Sequence, residues 1–119
     1  DEPVGEYPLG DSGTASGAVG AAVEAQASWR ILGFGGRARI MERAAVLFDE
    51  RADELALMCT MEEGKTLAES RGEAVLAAET FRYQAGLAKT STERIFPTNN
   101  PGETIRTVRA PLGVVGIVT

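Results

Sequence analysis

Apolar residues recur at steps of three and four through most of residues 16–89, the spacing of amphipathic helices. From Ser16 onward, Val19, Ala22/Val23 and Gln26/Ala27 share one helical face, with Ser16 placed as an N-cap. Gly17 and Gly20 weaken that helix by about 1 kcal/mol each relative to alanine. A second helix follows over 36–51, where Ile40, Ala44, Leu47, Phe48 and Arg51 form a stripe and Glu42, Arg43 and Asp49 face water. A third, from Ala52, keeps the period through Leu55, Met58 and Met61/Glu62 until Gly64, which can take the left-handed conformation that ends a helix. Lys65 suits the negative end of its dipole. The fourth has the clearest start: Thr66-Leu-Ala-Glu69 has capping-box spacing, worth about 1 kcal/mol. Behind it Leu67, Arg71, Ala74, Ala78, Phe81 and Ala85 fall on one side, and the small alanines allow close packing of another element.

The flanks have a different texture. Residues 1–15, rich in Gly, Pro, Asp, Ser and Thr, read as an irregular entry segment with a short strand near 5–8. Residues 90–97 read as a connection that becomes extended, and Asn99-Asn-Pro-Gly102 is a turn signal. Residues 103–109 are dense in β-branched side chains and predict a strand, which Ala110-Pro-Leu-Gly113 breaks. Residues 114–119, Val-Val-Gly-Ile-Val-Thr, form a continuous apolar run of the kind buried on both faces of a parallel sheet. Such a strand needs neighbours that residues 1–113 do not offer, so the chain is expected to be the amino-terminal part of a larger protein.

Composition narrows the partners. At 119 residues the chain holds one domain at most, and 44% hydrophobic with 24% charged residues is a soluble globular composition rather than a disordered one. The net charge of −5, with basic residues scattered among acidic ones, argues against nucleic acid or an anionic membrane as partner. The chain begins without methionine and has neither a basic-then-apolar leader nor an apolar run near 18 residues, so neither secretion nor membrane insertion is expected. One cysteine, Cys59, excludes an internal disulfide and fits a reducing compartment, which points to the cytoplasm.

Candidate chemistry is thin. Gly33-Phe-Gly-Gly-Arg-Ala38 matches G-x-G-x-x-A, but a helix precedes it where a dinucleotide cradle needs a strand, so a loop is expected. Gly64-Lys-Thr66 ends like a phosphate-binding loop, yet Cys59 stands where its first glycine belongs. Cys59 itself lies mid-helix among apolar residues, and the chain has no histidine to activate it, so a structural thiol is expected. Glu62, Glu63, Glu69, Glu73 and Glu79 lack metal-ligand spacing and read as solvated or capping positions. No catalytic and no metal-binding residue is assigned.

Several short motifs nevertheless occur in a telling order: Gly36-Arg-Ala, Ala44-Ala, Asp53-Glu-Leu-Ala, Glu63-Gly-Lys-Thr-Leu, Gly72-Glu, Phe81-Arg-Tyr-Gln-Ala-Gly and Arg109-Ala-Pro-Leu-Gly-Val-Val-Gly-Ile-Val-Thr. Together, over residues 17–119, they resemble the amino-terminal part of an NAD(P)-dependent aldehyde dehydrogenase, in flavour a semialdehyde dehydrogenase.

The resemblance implies an α/β fold of which this chain supplies the amino-terminal helical part. Three to four helices (1–102) precede an oligomerisation-arm strand (103–110) and the first strand of a Rossmann-like cofactor sheet (111–119). It implies that Trp29 is a packing anchor before the next helix, that Glu73 is structurally special and hydrogen-bonds a neighbouring segment, and that Val118 and Thr119 contact the dinucleotide, NAD or NADP, near its adenosine half. The family's oxyanion asparagine, nucleophilic cysteine and general-base glutamate lie downstream of Thr119. The implied partners are the remainder of the dehydrogenase chain, a small aldehyde and further copies in a homo-oligomer, with the 119 residues alone inactive. The competing expectation is a non-catalytic helical interaction module that adds residues 103–109 and 114–119 as strands to a partner.

Overall fold

The structure, a computed structural model, describes residues 3–90 and 93–118. Four helices, α1 (Ser12–Ile31), α2 (Gly33–Glu50), α3 (Ala52–Glu63) and α4 (Leu67–Leu87), precede two short strands, β1 (Arg94–Phe96) and β2 (Ile105–Thr107). No helix among the described residues is long and apolar enough to cross a membrane.

α1 begins before Ser16 because Asp11 is a better-placed cap. The Asp11 carboxylate accepts from Thr14 N at 2.7 Å and from Thr14 Oγ1 at 2.9 Å. The strand expected near 5–8 does not form; nothing pairs with it. The loop expected at 33–38 is also helix: Leu32 closes α1 and opens α2, and Gly33, at φ +63°, makes the break in one residue. The caps of α3 and α4 are as expected. Gly64 ends α3 at φ +79°, and Thr66 and Glu69 complete the capping box.

α4 packs on both α2 and α3, and the core between them is alanine. Ala38 and Ala45 of α2, Ala52 and Ala56 of α3, and Ala74, Ala78 and Ala85 of α4 are buried, with Ser70, whose hydroxyl bonds Thr60 Oγ1 at 2.9 Å. Helices meeting on methyl groups bring their backbones close, and this turns the expected stripes. On α2 the buried line runs through Ala38, Ala45 and half-buried Phe48, while Ile40 and Leu47 stay 47% and 41% exposed. On α3, Met58 and Met61 of the expected stripe are exposed, as is Leu67 on α4. The aromatic contribution is one stacked pair, Phe48 on Phe81, with ring centroids 5.5 Å apart. At the rim, Arg71 pairs with Asp53 at 2.7 Å, Arg82 with Asp49 and Lys89 with Glu42, tying α4 to its neighbours through exposed ion pairs that add little.

β1 and β2 pair antiparallel, Arg94 opposite Thr107 and Phe96 opposite Ile105, around a turn with Gly102 at φ +85°. The strand expected over 103–109 is therefore trimmed to three residues and finds its partner in the segment read as a connection. Residues 114–118 form no strand; a strand exists through its partner's hydrogen bonds, and none is adjacent. The radius of gyration, 20.1 Å, exceeds the roughly 13.5 Å of a compact chain this long. α1, with no buried residue, accounts for part of that extension.

Candidate functional site

Two places bring polar side chains together. The first is the α3–α4 turn. Gly64 stops α3 and Thr66 starts α4, so Lys65 is held between the last turn of one helix and the first turns of the next. Its Nζ lies 2.8 Å from Glu63 Oε2 and donates to Glu73 Oε1 and Oε2 at 2.8 and 3.0 Å. Bonds to Glu63 first and Glu73 second raise the Lys65 ammonium above its ordinary range, and Lys65, then Cys59, hold Glu63 below its own. Glu63 and Glu73 are solvent-exposed, as expected, and are also ion-paired with Lys65, so Glu73 bonds a neighbouring segment.

Cys59 points its sulfur into this cluster, 3.5 Å from Glu63 Oε1 and 3.9 Å from Glu73 Oε2. Its partners are carboxylates, whereas nucleophilic cysteines are activated by a cation, a base or a helix N-terminus. Glu69 is occupied in the capping box, where Thr66 holds its carboxyl low, and no group of metal-ligating residues occurs among the described residues.

The second place is the elbow between α1 and α2, which sequence reasoning missed because no spacing signals it. A cleft of about 320 Å³ opens there between Trp29, Phe34 and Arg37 on one side and residues 109–113 on the other. Arg37 Nη1 donates to the carbonyl oxygens of Trp29 at 3.3 Å and Arg30 at 3.4 Å, and its guanidinium sits 5.0 Å over the Phe34 ring. Trp29, the expected anchor, is 40% exposed at this elbow. Gly33-Phe-Gly-Gly-Arg-Ala38 forms the first turns of α2 behind another helix, so it makes no phosphate cradle.

The two residues expected at a cofactor are not brought to either place. Val118 is 100% exposed, and Thr119 lies outside the described residues. The described residues make a helical layer, a short antiparallel strand pair and an exposed apolar tail.

Comparison with known proteins gives that part its family. The chain matches the aldehyde dehydrogenase family over residues 1–119 and belongs to it. It is 36% identical over 102 residues to the alpha-ketoglutaric semialdehyde dehydrogenase of Bacillus subtilis, covering 86% of this chain and 21% of that one. Identity is 39% over 102 residues to succinate-semialdehyde dehydrogenase [NADP(+)] 1 of Schizosaccharomyces pombe, covering 86% of this chain and 20% of that one. It is 36% over 115 residues to the benzaldehyde dehydrogenase [NAD(+)] of Pseudomonas putida, covering 92% and 24%. The chain thus spans about a fifth to a quarter of the length of these relatives. No solved structure matches it.

Proposed function

We propose that the chain is the amino-terminal helical layer of an NAD(P)-dependent dehydrogenase that oxidises a semialdehyde to the carboxylic acid. The observation that carries this reading is the family match over all 119 residues, with semialdehyde dehydrogenases among the relatives. The relatives' names include both NAD(+) and NADP(+), so the cofactor is assigned only as one of the two. In this reading residues 1–102 form the helical layer, 103–110 the oligomerisation arm and 111–119 the first strand of the cofactor sheet. The setting is a cytoplasmic homo-oligomer. The dinucleotide supplies hydride acceptance when bound; this chain offers it no phosphate cradle, only the strand end at Val118 and Thr119.

The 119 residues alone carry no turnover on this reading, since their one thiol faces carboxylates. Incubating the purified chain with NAD or NADP and a panel of small semialdehydes and aldehydes is expected to give no reduced nicotinamide. Intact mass of the native protein is expected to exceed 12.5 kDa several-fold. Turnover by the 12.5 kDa chain, or a native protein of that mass, sinks the proposal. The free outer edges of β1 and β2, exposed at every residue, favour the second reading of a strand-adding interaction module, for which a soluble, defined assembly of the isolated chain is the mark.

A further inference from the structure

α1 has no buried residue, so packing along its length does not fix where it points. Its direction is set at the elbow, where Leu32 serves both helices and Gly33 makes the break. The last carbonyls of a helix lack intrahelical partners and carry the negative end of its dipole. Arg37 supplies what they need from the next helix: its Nη1 bridges the Trp29 and Arg30 carbonyls at 3.3 and 3.4 Å, braced by the Phe34 ring 5.0 Å away. Among the described residues Arg37 is in no ion pair that would draw it off. Opposite lies Gly113, at φ +104°, where a Cβ would stand 3.3 Å from Gln26 Nε2 on α1.

We infer that Arg37 is a positioning residue that latches α1 across the elbow and, by placing Gln26 against Gly113, sets where residues 114–118 leave the helical layer. Holding α1 shut and seating the backbone at Gly113 are one event, because Gln26 and Trp29 belong to the same rigid helix.

The chain itself supplies the test, with no aldehyde turnover read, so the outcome is independent of the function proposed above. Trypsin cleavage at Arg30–Ile31 in the elbow is followed by mass spectrometry against cleavage at Arg71–Gly72 in α4. Acrylamide quenching of Trp29, the only tryptophan, is measured alongside. Arg37→Met is expected to speed elbow cleavage about fivefold, the population change one marginal hydrogen-bonded contact supports, and to raise quenching while leaving the α4 site unchanged. Arg37→Lys, keeping a donor, is expected to fall between. Wild-type cleavage at Arg30–Ile31 in Arg37→Met, or equal acceleration at both sites, overturns the latch. Gly113→Ala, an exposed change that leaves the helices intact, probes the other half: it should speed cleavage at Arg109–Ala110 relative to Arg71–Gly72, and an unchanged rate there overturns the seat.

Discussion

Lys65 and Glu73 meet across the α3–α4 turn, with Nζ bonded to both oxygens of the carboxylate at 2.8 and 3.0 Å. They are eight positions apart in sequence, and the connection between the helices is short: one left-handed glycine, the lysine and a threonine cap. Backbone capping fixes the two helix ends, and the ion pair ties the turn to α4. Replacing Glu73 with alanine leaves both caps intact and removes that tie. A lower urea midpoint with unchanged helical circular dichroism is the expected result; an unchanged midpoint means the pair is ornamental.

Acid and alkali should each weaken this cluster, acid through Glu63 and alkali through Lys65. Glu63 is held below its ordinary 4.5 by Lys65 first and Cys59 second, so its contribution to stability is complete above 4.5 and lost as pH falls through its folded value. Lys65 is raised above its ordinary 10.5, so its contribution is complete below 10.5 and lost only as pH rises through its folded value. The stability difference between the wild type and Lys65→Met is therefore expected to be flat from about pH 6 to pH 9 and to shrink towards pH 3. Urea titrations of both proteins across that range measure it. A difference that grows on acidification contradicts the pairing.

The alanine core makes a third prediction, of larger size. Ala78 is fully buried on α4, which packs against both α2 and α3. Ala78→Leu inserts volume where the helices approach on methyl groups and is expected to destabilise by about 1–3 kcal/mol. Leu76, 59% exposed on the same helix, serves as control: Leu76→Ala is expected to stay within about 0.5 kcal/mol. Thermal or urea unfolding of the two variants separates them. Equal effects mean that α4 does not bury the face described.

The same core explains what could be read from the sequence. Local signals survived: Gly64 as a stop, Thr66 and Glu69 as a capping box, and the bounds of α3 and α4, because each is decided within a few residues of backbone. On α2 Phe48 was read correctly, but ranking by hydrophobicity puts Ile40 and Leu47 inward, each two positions from the residue that is buried. Packing instead chose Ala38 and Ala45, whose small side chains permit closer contact. Asp11 was missed as a cap, although it bonds Thr14, because residues 1–15, rich in Gly, Pro, Asp, Ser and Thr, read as an irregular segment. β1 had too few residues to announce itself and is a strand only through β2. The family was legible because its motifs recur in order along the chain, even though the residues that do its chemistry are not among them. The elbow was illegible because Arg37 acts on carbonyls of another helix, a contact that no periodicity encodes.

Residues 114–118 carry the last prediction. Val115, Ile117 and Val118 are 65, 83 and 100% exposed, an apolar, uncharged run with no strand partner. A segment of that composition, with backbone donors and acceptors free, is a template for pairing with another chain. The isolated chain is therefore expected to self-associate as its concentration rises, by strand addition through this segment, with the four helices unchanged. Val115→Lys with Ile117→Lys puts charge where neighbouring copies meet and removes two apolar contacts. On the order of 1.5 kcal/mol for each buried side chain, the association constant should fall by at least about tenfold. Sedimentation equilibrium of the two proteins at matched concentrations measures the change. A wild-type chain that stays monomeric at high concentration contradicts the strand-forming tendency. Association that the double variant does not weaken moves the contact to another surface, of which the exposed Ile40 and Leu47 side of α2 is the first to test.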